Sequence, residues 1–198
     1  MYRKSMVAMA GACAIALWSV PAIAVPTHFS GTGHFYEFIS GNITWTSART
    51  AAAGLSHNGQ AGYLATITSA AENTFLGTLF NDGWIGGTDQ ATEGVWVWAD
   101  GPEAGQQFWS GGPGGTATAP FNFASWNSGE PNNSGGNEDF AHYQGGNWND
   151  LTDGNRPGYY VEFDPGQVVG TPEPTTLALF GSALLGLGWT RRRRTKSA

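Results

Sequence analysis

At 198 residues, with 30 glycines, nine tryptophans and only 12% charged residues, the chain suits one loop-rich domain plus targeting segments and excludes a bundle of long charged helices. Its net charge of −6 hides an asymmetry: seven of the nine Lys and Arg residues lie at the termini, so residues 25–171 set Arg49 and Arg156 against 14 acids, a net −12. Such a surface argues against nucleic acid and anionic membranes as partners and favours cations and neutral ligands.

Residues 1–24 predict a secretory signal. Arg3 and Lys4 give the basic start, Met6 to Val20 the apolar run, and Ala22-Ile23-Ala24 a small-x-small cleavage site. The only cysteine, Cys13, falls in that run, so the mature domain has no disulfide and bound metal is a candidate for limiting its loops. His34-Phe35-Tyr36-Glu37-Phe38 reads as a strand. Thr44 to Ala53 reads as a helix anchored by Trp45 and stopped by Gly54. Tyr63 to Ile67 predicts a second strand, and Ser69-Ala70-Ala71-Glu72 a capping box opening a helix with Phe75, Leu76 and Leu79 on its apolar face. Asn81-Asp82-Gly83 predicts a turn.

Trp84-Ile85-Gly86-Gly87 and Val95-Trp96-Val97-Trp98 follow as short strands, the paired glycines implying close backbone approach. Residues 101–122, rich in Gly, Pro, Ala and Gln, predict a long surface loop clamped by Phe108-Trp109. The last strands are expected at Asp139 to Tyr143 and Tyr159 to Phe163, with a linker over 164–171.

Between Glu130 and Asp150 stand four carboxylates and several carboxamides, with no Lys or Arg among them. Such a cluster needs a cation or full solvation, and Ca²⁺ takes six to eight carboxylate, amide and backbone oxygens at roughly 2.3–2.6 Å. Pro131 to Asn137 is equally an ordinary turn-forming string. Trp148 reads as a core residue. His57 and His142 have no partner motif for zinc or nucleophilic chemistry.

Pro172-Glu173-Pro174, an uncharged run over 175–190 and Arg191 to Arg194 together resemble the PEP-CTERM sorting signal over 172–196. The resemblance implies a bacterial exported protein, transient inner-membrane retention, cleavage by an exosortase, and delivery to the cell surface or exopolysaccharide matrix. A run of about 16 residues is short of the ~20 that span hydrocarbon comfortably.

Two helices followed by Trp84-Ile85-Gly86-Gly87, Glu130-Pro131-Asn132 and Trp148-Asn149-Asp150, in that order, resemble the C-type lectin-like domain over residues 34–163. The resemblance implies an α+β fold, two helices packed on short antiparallel sheets with a long calcium-binding loop region. It implies a main calcium site at Glu130, Asn132, Glu138, Asn149 and Asp150, the same five side chains binding sugar hydroxyls, and a cis bond before Pro131. An auxiliary calcium site is implied at Asp89, Glu93, Asn133 and Asp139, with Glu138 shared and Asn133 standing where an Asp is usual. Glu-Pro-Asn goes with mannose-type sugars in this family, and Gln-Pro-Asp with galactose-type ones. The family's disulfide cysteines are absent, and Phe140 and Tyr160 stand in the region of such positions.

The expected function is therefore an exported calcium-dependent carbohydrate-binding protein, with glycan or exopolysaccharide as partner. The alternative is an adhesion or matrix protein whose calcium braces loops that bind a protein. An enzyme is not expected: Glu130 and Glu138 as a glycosidase pair lack an apolar pocket to raise a pKa and have better-explained metal roles.

Overall fold

The computed structural model describes residues 25–166. The expected signal (1–24), linker residues 167–171 and the sorting segment (172–196) lie outside them. The elements run β1 (Thr27–His28), β2 (Phe35–Ile43), α1 (Trp45–Ala53), β3 (Ser56–His57), β4 (Gln60–Leu64) and α2 (Ala70–Leu79). They continue with β5 (Asp82–Thr88), β6 (Val95–Trp98), β7 (Gln107–Ser110), β8 (Thr116–Ala117), β9 (Phe140–Gln144), β10 (Asn147–Leu151) and β11 (Arg156–Phe163).

Helix α1 forms where expected. The Thr44 hydroxyl accepts from Ser47 N, and Asp153 takes Thr46 N at 3.1 Å and Thr46 Oγ1 at 2.6 Å, placing a carboxylate on the helix's first turn. Trp45, Ala48 and Ala52 are its buried face. Ser69 caps α2 through Glu72 N, but Glu72 does not close a capping box. Its carboxylate takes Thr68 N at 2.8 Å and the Tyr36 hydroxyl at 2.5 Å, because at 1% exposure it must find buried donors. The expected turn at 81–83 is displaced: β5 already begins at Asp82, where Asp82 pairs with Gln144 of β9. The second strand likewise starts earlier than expected, at Gln60, and ends at Leu64.

The sheet runs β1-β2-β11-β5-β6-β7-β8, with β4 also on β11 and β9-β10 attached through β5. Most pairs are antiparallel, but β11 lies parallel to β5, Tyr159 opposite Trp84. Gly86 permits this layering. A Cβ there would stand 2.6 Å from Leu64 O, and the Gly86 N–H donates to Ala65 O at 2.8 Å.

Residues 101–122 are not a plain surface loop. They contain β7 and β8, and β7 covers the edge of β6, with Trp96 opposite Trp109. Phe108 is fully buried and stacks on Trp98 at 4.1 Å. Trp84, Trp96, Trp98 and Trp148 are also fully buried. Phe140 stacks on Trp45 at 4.5 Å, while Tyr160 packs on Phe38 and Tyr143. The two rings belong to separate core clusters, so each packs with its own neighbours and not with the other.

Candidate functional site

The acidic loop is held from below by β10, a strand the sequence reading passed over. Trp148 and Asp150 point inward, at 0% and 1% exposure, and Asn149 between them is half-buried. Helix α2 sets their height: Asn73 accepts the Trp148 indole N–H at 2.8 Å and donates to Gly146 O at 2.6 Å. Residues 125–127 run alongside β10, with Trp148 N donating to Ser125 O at 2.7 Å and Asn127 N to Trp148 O at 2.8 Å. Glu130 N then donates to Asn127 O at 3.0 Å. This ladder delivers Glu130 next to Asp150. The Glu130–Pro131 peptide is cis, as the resemblance implied; Ala119–Pro120 is cis as well.

Asp150 gathers the loop that follows. Its carboxylate accepts Asn132 N at 3.0 Å and Asn133 N at 2.6 Å. Glu138 accepts Ser134 N at 2.8 Å. In Glu130, by contrast, Oε2 is buried without a hydrogen-bond partner. Contrary to the expectation that nothing around it raises its pKa, burial, then the neighbouring Asp150, pushes the Glu130 carboxyl up to about 7. Burial also raises Glu138. Among the described residues the carboxamides of Asn132 and Asn149 make no hydrogen bond and remain free.

The second acidic group stands on the turn between β5 and β6. Asp89 is 3% exposed; one oxygen takes Gly94 N at 2.8 Å and the other, Oδ1, is buried and unpartnered. Burial, followed by the charges of Glu93, Asp139 and Asp150, pushes Asp89 up to about 7. Asp139 lies alongside, its carbonyl accepting from Asp89 N and Thr88 Oγ1. Asn133, at φ 47°, bridges the two groups: its Nδ2 donates to Glu93 and its Oδ1 accepts Glu138 N at 3.0 Å.

All nine candidate residues thus fall on two adjoining loops and one strand, and Asn133 links the loops. Among the described residues no three His, Cys, Asp or Glu side chains converge as a metal cage. The reason is visible: Asp150 and Glu138 are turned onto backbone N–H groups. The donor set nonetheless fits a hard cation. One carboxylate oxygen in each group, Glu130 Oε2 and Asp89 Oδ1, is buried with nothing to satisfy it, an arrangement that costs a protein free energy unless a donor or cation arrives. Of the remaining candidates, His142 binds Asp82 through Nε2 at 2.5 Å, with burial lowering its pKa, and His57 packs on Phe35 and Phe163.

Residues 42–161 match the Lectin C-type domain model, and residues 171–194 the PEP-CTERM protein-sorting motif. Halomucin of Haloquadratum walsbyi is 40% identical over 137 residues, 66% of this chain but 1% of that protein. The low affinity immunoglobulin epsilon Fc receptor of Mus musculus is 36% identical over 118 residues, 58% of this chain and 29% of that one. The chain therefore spans a small part of these curated relatives. Among solved structures, the C-type lectin CEL-I of Cucumaria echinata has the same fold, with a TM-score of 0.54 at 24% identity over 70% of this chain and 96% of that one. The cow C-type carbohydrate-recognition domain of CD23, determined in the presence of GlcNAc2Man3 oligosaccharide, gives 0.51 at 28% identity, covering 65% and 86%. The family is one of non-enzymatic carbohydrate-binding domains. By fold, by the order of its motifs and by the extent of the match, the chain belongs to the C-type lectin domain family.

Proposed function

We propose that this chain is an exported lectin that binds a neutral, mannose-type sugar through calcium at Glu130, Asn132, Glu138, Asn149 and Asp150. One observation carries the reading. Glu130 Oε2 is buried beside Asp150 with no partner, while the carboxamides of Asn132 and Asn149 are free. Calcium, when bound, supplies a positive centre for two vicinal hydroxyls. The chain's own groups supply the rest: Asn132 and Asn149 donate N–H to those hydroxyls, and Glu130 and Glu138 accept from them. Asp89, Glu93, Asn133 and Asp139 would hold an auxiliary ion that stiffens the same face.

The PEP-CTERM motif supports export and surface sorting. We read the route as transient retention in the inner membrane, processing by an exosortase, and release to the cell surface or exopolysaccharide matrix. The deciding experiment is a glycan array with and without EGTA. Calcium-dependent mannose-type binding that is lost in Asn149→Asp supports the lectin. A calcium-dependent melting shift with no glycan signal supports instead a calcium-braced adhesion protein with a protein partner.

A further inference from the structure

The β7–β8 hairpin belongs to the ligand face, although it supplies none of the candidate ligands. Its tip is hydrogen-bonded to one acidic loop and stands beside the other. Gly111 N donates to Gly94 O at 2.7 Å, and Gly94 N in turn donates to the Asp89 carboxylate at 2.8 Å. On its other side, a Cβ at Gly112 would stand 3.4 Å from Pro131 O, in the loop that carries Glu130 and Asn132. The Trp109 indole fixes the tip by donating to Gly111 O at 2.9 Å. Gly111 has φ 99° and Gly94 φ 73°, conformations that side chains resist. From Ala104 to Gly129 the sequence has no ionisable residue. Whatever the hairpin does to a nearby cation, it does through geometry and not through charge.

We propose that this hairpin is a strut that sets the spacing of the two acidic loops, with Gly111, Gly112 and Trp109 as positioning residues for the calcium-dependent face. The inference rests on the calcium reading above. In a chain without a disulfide in this domain, the strut does the loop-fixing work. It holds Asp89 through Gly94 and lies alongside the Pro131 loop.

The test uses the full-length chain in three variants. Gly111→Val forces a side chain into φ 99° and against Gly115 Cα, 3.3 Å from the new Cβ, which should shift the Gly111 N–H off Gly94 O. Trp109→Phe keeps an aromatic ring and removes the indole donor. Gly105→Ala is the control: its φ is 75°, with nothing within 4 Å of a new Cβ, so it places a side chain at positive φ away from the site without a new contact. Calcium affinity is read by isothermal titration, and amide exchange of residues 89–94 and 131–134 is followed in EDTA.

Gly111→Val should weaken calcium by about 10–100-fold, the usual effect of losing an outer-shell partner. It should also speed exchange in both loops. Trp109→Phe should move both readouts in the same direction by less, and Gly105→Ala should move neither. Wild-type affinity and exchange in Gly111→Val, or equal losses in Gly111→Val and Gly105→Ala, would overturn the strut. If the wild-type chain takes up no calcium, the function proposed above fails, and the exchange measurement still decides whether the hairpin holds the loops.

Discussion

Asp150→Asn separates two jobs that one side chain performs. In the structure Asp150 is 1% exposed and accepts two backbone N–H groups, from Asn132 and Asn133. A hydrogen bond to a charged acceptor contributes about 1.5–3 kcal/mol. Asparagine keeps one acceptor oxygen; its NH₂ would face the other N–H and leave it unpaired, while the surviving bond weakens to the neutral range. Relief of repulsion on Glu130 offsets part of this, but only part, because that carboxyl is pushed up to about 7 and is already partly protonated at neutral pH. The net loss without calcium should be about 1–3 kcal/mol, a drop of several degrees in melting temperature at the usual ~2–4 °C per kcal/mol for a domain of this size. Calcium at 100 times its Kd should stabilise the wild type by about 2.7 kcal/mol and the variant by almost nothing. The assay is thermal melting by near-ultraviolet circular dichroism in EDTA and in calcium. A variant that melts with the wild type in EDTA refutes the bracing role; one that keeps the full calcium shift refutes the ligand role.

Above pH 6.5, where the lowered His142 is already neutral in both states, stability in EDTA should fall as pH rises. His34 is raised above 6.5, chiefly by its bond to Glu162, so its contribution is complete below 6.5 and is lost as pH climbs through the raised value. Glu72 and Glu103, raised by burial above 4.5, act in the same direction because the folded state holds their protons more tightly; His34→Gln should flatten the upper limb of a melting-versus-pH curve. Asn133→Asp removes the amide that Glu93 receives and adds a carboxylate beside it, so melting in EDTA should drop while calcium affinity by titration rises. Gly86→Ala places a Cβ 2.6 Å from Leu64 O, a backbone atom that cannot step aside, and should cost about 1–3 kcal/mol in urea unfolding with calcium stoichiometry unchanged.

Where residue chemistry acts locally, the sequence was readable. Thr44 and Ser69 cap helices because their hydroxyls meet the first-turn N–H groups, whatever the rest of the chain does. The Gly86-Gly87 pair announced close packing for the same reason. Glu72 was misread because its partners, Tyr36 and Thr68, are fixed by tertiary burial and not by position in a turn. Strand β10 was missed because Asn147, Asn149 and Asp150 are poor strand formers, and only pairing with β9 makes them extended. Glycine and proline concealed β7 and β8 in the same way. The candidate ligands were legible as a set, through motif order. Their present engagement was not: that Asp150 and Glu138 turn to backbone N–H groups follows from loop geometry that no spacing rule supplies.

Strand β11 is the last element of the domain, yet it pairs with β2, β4 and β5. Phe163 lies opposite Phe35, 128 positions earlier in the chain. A polypeptide threaded through a membrane amino end first therefore cannot close its central sheet until almost the whole domain has emerged. Closing so long a loop is slow for entropic reasons. The sorting motif begins at residue 171, eight positions after Phe163. On the export route proposed above, completion of the sheet and arrival of the tail at the membrane would be nearly the same moment in translocation. A brief hold at the carboxyl end would give β11 time to find its three neighbours before release.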